Sequence, residues 1–186
     1  YGRLIEGCGF RKAQDLYAFW ADVDMLPASR EKHWPVAEQI QQRFGVRVRP
    51  LDKSRFRQDL RDFLAVYNQS MVKHWGFSPM SDEELRHAAA GLRHLLVPEL
   101  ILGAEIGGRL VGIALALPDY NPRIKKIDGR LFPFGFLRLL WGKRSIKKVR
   151  IVAANVLPEY ELMGLALVLL KEMTPKGMAY GIREVE

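Results

Sequence analysis

The stretch VLPEYELMGLALVLL, residues 156–170, leaves a run of β-type residues at Val156, turns through Pro158 and Gly164, and continues directly as an apolar helix. Such a turn aims several backbone N–H groups of a helix's first turn at one point, which makes that point an anion site. Gly164 lets the chain approach a ligand closely, and Ala166 keeps the helix start narrow. Glu161 sets a carboxylate beside it: turned inward it repels an anion, turned outward it only removes a favourable contact. The same residues also read as an ordinary strand, turn and helix with a glycine for packing, so the neighbouring elements decide.

Upstream, residues 149–156 form a strand-like run. Before it, residues 101–105 and 110–117 flank Gly107-Gly108 and predict a hairpin whose continuous second run suits a strand covered on both faces. Residues 44–50 alternate apolar and charged side chains as a half-buried strand does, and Asp52 or Ser54 is a cap for the helix that follows. That helix carries Phe56, Leu60, Phe63, Leu64, Tyr67 and Met71 on one stripe, ending near Trp75-Gly76. Ser81 and Glu84 form a capping box for a second helix with Leu85, Ala88, Ala89, Leu92 and Leu95, stopped by Pro98. Downstream of Gly164 the helix runs through Met173, and residues 182–186 begin another strand. The order is strand, helix, helix, hairpin, strand, anion loop, helix, strand, an α/β (α+β) arrangement.

This order, with the loop inside it, resembles the GNAT-type N-acetyltransferases, whose acyl-CoA loop runs from a strand through Val-x-Pro-x-Tyr and Arg/Gln-x-x-Gly-x-Gly/Ala into a helix. Gly164 and Ala166 match; Glu161 stands where Arg or Gln is usual. The resemblance covers residues 44–186 apart from an insertion. It implies a mixed, mostly antiparallel sheet flanked by helices, ending here in its fifth strand, and acetyl-CoA or another acyl-CoA as co-substrate. It implies backbone bonds from Asn155, Val156 and Leu157 to the pantetheine arm, and a pyrophosphate held around Glu161, Leu162, Met163, Gly164, Leu165 and Ala166. The acceptor would be a small-molecule or peptide amine.

The family's acid is often a Tyr of a final helix, for which this chain has no counterpart. Candidate bases are Glu105, Asp119, Glu184 and Glu186, each of which also reads as a solvated or hairpin-end carboxylate. Asp119 and Asn121 after Pro118 suit substrate contact or plain turn chemistry. Residues 1–24 resemble the tail of a preceding GNAT-like unit, a helix ending in Gly9-Phe10 and a strand over 12–23, with 25–43 as a connecting helix. The alternative is an extra hairpin of the main sheet. The first residue being Tyr1 and the end at Glu186 suggest a fragment, and the resemblance of residues 1–24 implies a second such unit in the full-length protein.

Composition bounds the class. With 186 residues, 48% apolar and 27% charged, the chain reads as globular with one full core. The lone Cys8 makes no internal disulfide and no Cys/His spacing suggests zinc or another metal, which points to a reducing, cytoplasmic setting. Charge is uneven. Arg123, Lys125, Lys126, Arg130, Arg138, Lys143, Arg144, Lys147, Lys148 and Arg150 face Asp128 alone, in and just after an insertion at 121–148. The insertion also holds Phe132, Phe134, Phe136, Leu137, Leu140 and Trp141, which are expected to bury area in a helical flap. Three uses compete: a solvated basic face, a lid over an anionic cofactor or substrate, or a patch for an anionic membrane surface or nucleic acid. No RNA-binding aromatic signature or helix-turn-helix pattern accompanies the charge, so no specific nucleic acid is expected. Function divides accordingly into an acyl-CoA-dependent N-acyltransferase, a GNAT-like module without catalysis, or a peripheral membrane protein.

Overall fold

Gly107 and Gly108 both adopt left-handed φ, 57° and 79°, as a tight turn matching the twist of its strands requires, and join β3 (Ile101–Ile106) to β4 (Arg109–Pro118). In the computed structural model, which describes residues 1–52, 54–92, 94–142 and 145–186, this hairpin is the middle of one sheet. β2 (Arg47–Pro50) pairs antiparallel with β3, and β5 (Lys148–Val156) antiparallel with β4. β6 (Glu184–Val185) lies parallel to β5, and β1 (Ala21–Asp22) antiparallel to β6. The order is β1-β6-β5-β4-β3-β2, a mixed and mostly antiparallel sheet as expected.

Helices cover both faces. A side chain at Gly103 would meet Phe63 of α3 (Phe56–Met71), and one at Gly112 would meet Leu169 of α7 (Leu165–Tyr180), so these helices lie on opposite sides. α2 (Leu26–Phe44) packs on α7. Between the layers Leu100, Leu102, Ala104, Val111, Ala114, Val168 and Leu169 are fully buried, which explains the unbroken apolar run of β4. α4 (Asp82–Leu92) starts at the expected capping box: the Ser81 N–H donates to Glu84 Oε2 at 2.8 Å and the Glu84 N–H to Ser81 Oγ at 3.2 Å. Before α3, Asp52 accepts from the N–H and hydroxyl of Ser54, but the cap position itself is Arg55. α7 passes the expected end at Met173 because Met173 and Gly177, four apart on either side of Pro175, both face the core; Gly181 at φ 99° ends it.

Two expectations are corrected. A short helix, α1 (Gly2–Gly7), forms, but only Ala21–Asp22 of the strand predicted over 12–23 exists, on the edge of the main sheet. Leu16, Tyr17 and Phe19 before it are exposed and have no ladder partner among the described residues. The insertion forms α5 (Asn121–Lys126) and α6 (Gly135–Leu140), yet Phe132, Phe134, Phe136, Leu137 and Trp141 stand 46–89% exposed. The reason is geometric: α6 turns Gly135 and Leu139, four apart, inward, where Leu139 meets Tyr120 and Ile146, so Phe136 and Leu137 face out. Lys143 and Arg144 lie outside the described residues, as do the side chains of Arg138 and Leu140.

Candidate functional site at the open edge of β5

β5 changes partners along its length. Its register with β4 slips between Leu115, opposite Ala153, and Ala116, opposite Ile151, so Val152 is the extra residue of a bulge. Before the bulge, the Ile151 N–H donates to the Glu186 carbonyl at 2.7 Å and Val149 O accepts from the Glu186 N–H at 2.9 Å, so odd-numbered residues face β6. After it, the Leu157 N–H donates to Val111 O at 2.8 Å. Alternation therefore turns the backbone groups of Ala153 and Asn155 toward β4 and those of Ala154 and Val156 to the other side. Among the described residues no strand pairs with that side beyond Ile151.

The open edge leads to the candidate anion loop. Residues 158–163 form a 3₁₀ turn, and Gly164, at φ 72°, starts α7. A Cβ on Gly164 would sit 2.8 Å from Ile40 of α2, so the glycine answers both to backbone geometry and to that helix. Leu165 is fully buried and fixes the first turn; the Leu167 N–H is already bonded to Gly164 O at 3.0 Å. Met163 and Ala166 are half-buried, whereas Glu161 and Leu162 are exposed. Arg109 reaches from the hairpin to Glu159 at 3.0 Å, a pair that the sequence reading did not single out. Of the three residues assigned to the pantetheine arm, Val156 has outward backbone groups, Asn155 faces β4, and the Leu157 N–H is taken by Val111. Ala154 joins Val156 on the open side.

The candidate carboxylates lie apart, each engaged. Glu105 pairs with Arg49 at 2.6 Å and Arg47 at 3.2 Å. Arg49 also grips Asp59 with two hydrogen bonds, 2.7 and 3.0 Å, while the Asp52 N–H donates to Asp59 at 2.7 Å. Burial pushes the Asp59 carboxyl up, but the bonds from Arg49 and Asp52 outweigh it and hold it below its ordinary value. Asp119 accepts from the Asn121 N–H at 3.0 Å, the turn chemistry, and Asn121 is exposed. Glu186 is bonded by Lys148 at 2.5 Å and Arg150 at 2.7 Å, which hold its carboxyl down to about 2. Glu184 accepts from Trp20 Nε1 at 3.1 Å. A base must accept a proton near neutral pH, which a carboxyl at about 2 does poorly.

Several clefts border β5. One of about 600 Å³ lies beside Val152, lined by Tyr17, Phe19, Trp20, Ile151, Val152 and Val185 together with Arg150 and Glu186, among others. Another of about 930 Å³, under the insertion, is lined by Asp119, Arg123, Lys126, Trp141, Lys148 and Glu184 among others. Among the described residues, no three His, Cys, Asp or Glu side chains gather to hold a metal, and no helix is long and apolar enough to cross a membrane.

No family model matches the chain. It is 31% identical over 166 residues to the bacterial ceramide synthase of Caulobacter vibrioides (strain NA1000 / CB15N), 86% of this chain and 41% of that protein. It is 28% identical to protein YghO of Escherichia coli (strain K12), over 87% of this chain and 41% of that protein. The chain thus spans about two fifths of the length of these curated relatives. Among solved structures, a GCN5-related N-acetyltransferase from Sphaerobacter thermophilus superposes with a TM-score of 0.52 at 21% identity, over 76% of this chain and 34% of that one. A GNAT family acetyltransferase from Brucella melitensis in complex with acetyl-CoA gives 0.51 at 16%, over 75% and 73%. The chain has the GNAT fold.

Proposed function

We propose that this chain is the acyl-CoA-binding part of an N-acyltransferase whose acceptor is a long-chain amine. One observation carries the reading: past the bulge at Val152, β5 offers the N–H and C=O groups of Ala154 and Val156 to an edge that no strand among the described residues pairs with and that runs into the start of α7. A pantetheine arm presents amides that would extend the sheet there, and its pyrophosphate would meet the N–H groups between Leu162 and Ala166. The Brucella melitensis protein of the same fold binds acetyl-CoA, which supports this use of the edge. The acceptor class is supported by the Caulobacter relative, since a ceramide is the amide of a long-chain amine, and by the aromatic cleft beside Val152, which suits an alkyl chain.

In the reaction the amine nitrogen attacks the thioester carbonyl carbon. The C–N bond forms, the C–S bond breaks, the nitrogen gives up one proton and the departing thiolate takes one. Glu105, Asp119 and Glu186, each already bonded, supply structure rather than the base in this scheme. A second reading, a binding module without turnover, is favoured by one observation: the exposed Glu161 carboxylate beside the loop, which has no partner among the described residues.

Calorimetry of the full-length protein with acetyl-CoA and a long-chain acyl-CoA tests the proposal. Val156→Pro deletes one outward N–H without touching the β4 ladder, and should weaken acyl-CoA binding about tenfold, the worth of one well-made hydrogen bond. Unchanged affinity in a variant of unaltered melting temperature overturns the site. Turnover with a long-chain amine separates the enzyme from the module. Trp20→Ala should raise KM for that amine and leave a short amine unaffected.

A further inference from the structure

The exposed aromatic groups of the insertion are a concentration of apolar surface that the proposed acyl transfer does not use. Leu131, Phe132, Phe134, Phe136, Leu137 and Trp141 fall within eleven residues, and each is exposed. Single exposed apolar side chains are ordinary, but a cluster of six marks a surface that meets something apolar. The base of the cluster is fastened. Leu139 is buried with Tyr120 and Ile146, and the Arg123 guanidinium donates to the carbonyls of Leu139, Trp141 and Gly142 and to the Ser145 hydroxyl. These bonds satisfy the carbonyls at the end of α6, so the segment keeps its shape while its apolar tips remain outside.

Charge selects the occupant. Exposed Lys125, Lys126 and Arg130 precede the cluster in the chain and Lys147 follows it, Lys126 and Lys147 line one cleft with Trp141, and the only acid of the insertion is Asp128. The other exposed apolar stretch, Phe10 to Trp20, belongs to a segment in which Arg3, Arg11 and Lys12 are matched by Glu6, Asp15, Asp22 and Asp24. A neutral apolar stretch suits a protein surface; aromatic groups flanked by cations suit the boundary of an anionic bilayer, where Trp and Phe enter the headgroup region and Lys and Arg meet phosphate. Leu131 and Leu137 add nothing to stacking on nucleic-acid bases, but they do gain by entering acyl chains. α6, six residues or about 9 Å long, can enter such a boundary and cannot cross it.

The geometry points to residues 131–141, with Lys125, Lys126, Arg130 and Lys147, as a docking edge for anionic lipid. The inference stands apart from acyl transfer, since a module without turnover would dock equally. The test is flotation of the full-length protein with vesicles of phosphatidylcholine, with or without phosphatidylglycerol. The parent should float with the anionic vesicles and lose this at high salt. Phe132→Ser, Phe134→Ser and Trp141→Ser combined should cut partitioning tenfold or more, by a conservative count of about 1.5 kcal/mol for one aromatic group. Each of Lys125→Gln, Lys126→Gln, Arg130→Gln and Lys147→Gln should cut it about fivefold. All these side chains are exposed, so the melting temperature should not move. No flotation of the parent, equal flotation of the aromatic variant, or release of the bound protein by nucleic acid but not by salt overturns the proposal. So does a Trp141 already shielded from acrylamide without vesicles, which would assign the patch to a second copy or to another part of the same protein.

Discussion

Asp59 has no exposed surface, and its charge survives burial because Arg49 and the Asp52 N–H surround it. Removing one partner of such a pair leaves the other charge uncompensated, so Asp59→Ala should cost about 3 kcal/mol, read from the urea midpoint; Arg49 keeps Glu105, so the loss stays at the lower end of the usual range. Sequence offered a trace of this: Asp59 sits inside the Phe56, Leu60, Phe63 stripe, where a carboxylate needs a partner. The partner, Arg49 of an alternating strand, was invisible without the pairing of β2 with β3. Glu186 gives a pH prediction. Its carboxyl lies at about 2 against an ordinary 4.5, so the unfolded chain binds more protons between those values. The stability that Glu186 contributes is fully present above pH 4.5 and is lost as pH falls toward 2. Glu186→Gln should therefore be less stable than the parent at neutral pH and converge with it at low pH in parallel thermal melts.

The elements legible from sequence were those with local signatures: the Gly107-Gly108 hairpin, the Ser81 capping box and the long stripe of α3. Substituting Ser81 by Ala should remove about 1 kcal/mol by losing the cap, measured by denaturant. What stayed illegible depended on neighbours. The bulge at Val152 carries no glycine or proline to announce it, and it alone decides that Ala154 and Val156, rather than Asn155 and Leu157, point to the open side. The aromatic groups of the insertion looked like core because composition counts apolar residues and cannot tell which side of a six-residue helix has something to touch. Arg123 is the corresponding hidden anchor. Arg123→Ala should release the carbonyls at the end of α6, speeding hydrogen exchange over residues 135–142 severalfold while the exchange of β3 and β4 stays unchanged. Equal protection in the variant would mean that the Leu139 cluster holds the insertion alone.

Across the whole molecule, β5 is the axis that separates two ends. Nine residues of strand span roughly 30 Å, with the 121–148 insertion entering at Lys148 and the anion loop leaving at Val156. Among the described residues β6 pairs with β5 at the Lys148 end as far as Ile151, so a ligand adding itself to the sheet would do so at the Val156 end. An acyl donor would then approach from the loop side and an acceptor from the insertion side, with the aromatic cleft at Val152 between them. This division can be read amide by amide. In the free full-length protein the Asn155 and Leu157 amides, bonded toward β4, should exchange slowly, while those of Ala154 and Val156 should exchange fast. Saturating acyl-CoA should slow Ala154 and Val156 by tenfold or more, since one retained hydrogen bond is worth about 1.4 kcal/mol, and leave Val149 and Ile151 as they were. Slow exchange of Ala154 and Val156 before any ligand is added would mean that another segment of the protein already lies along the edge, and the ligand would have to be sought elsewhere on the sheet.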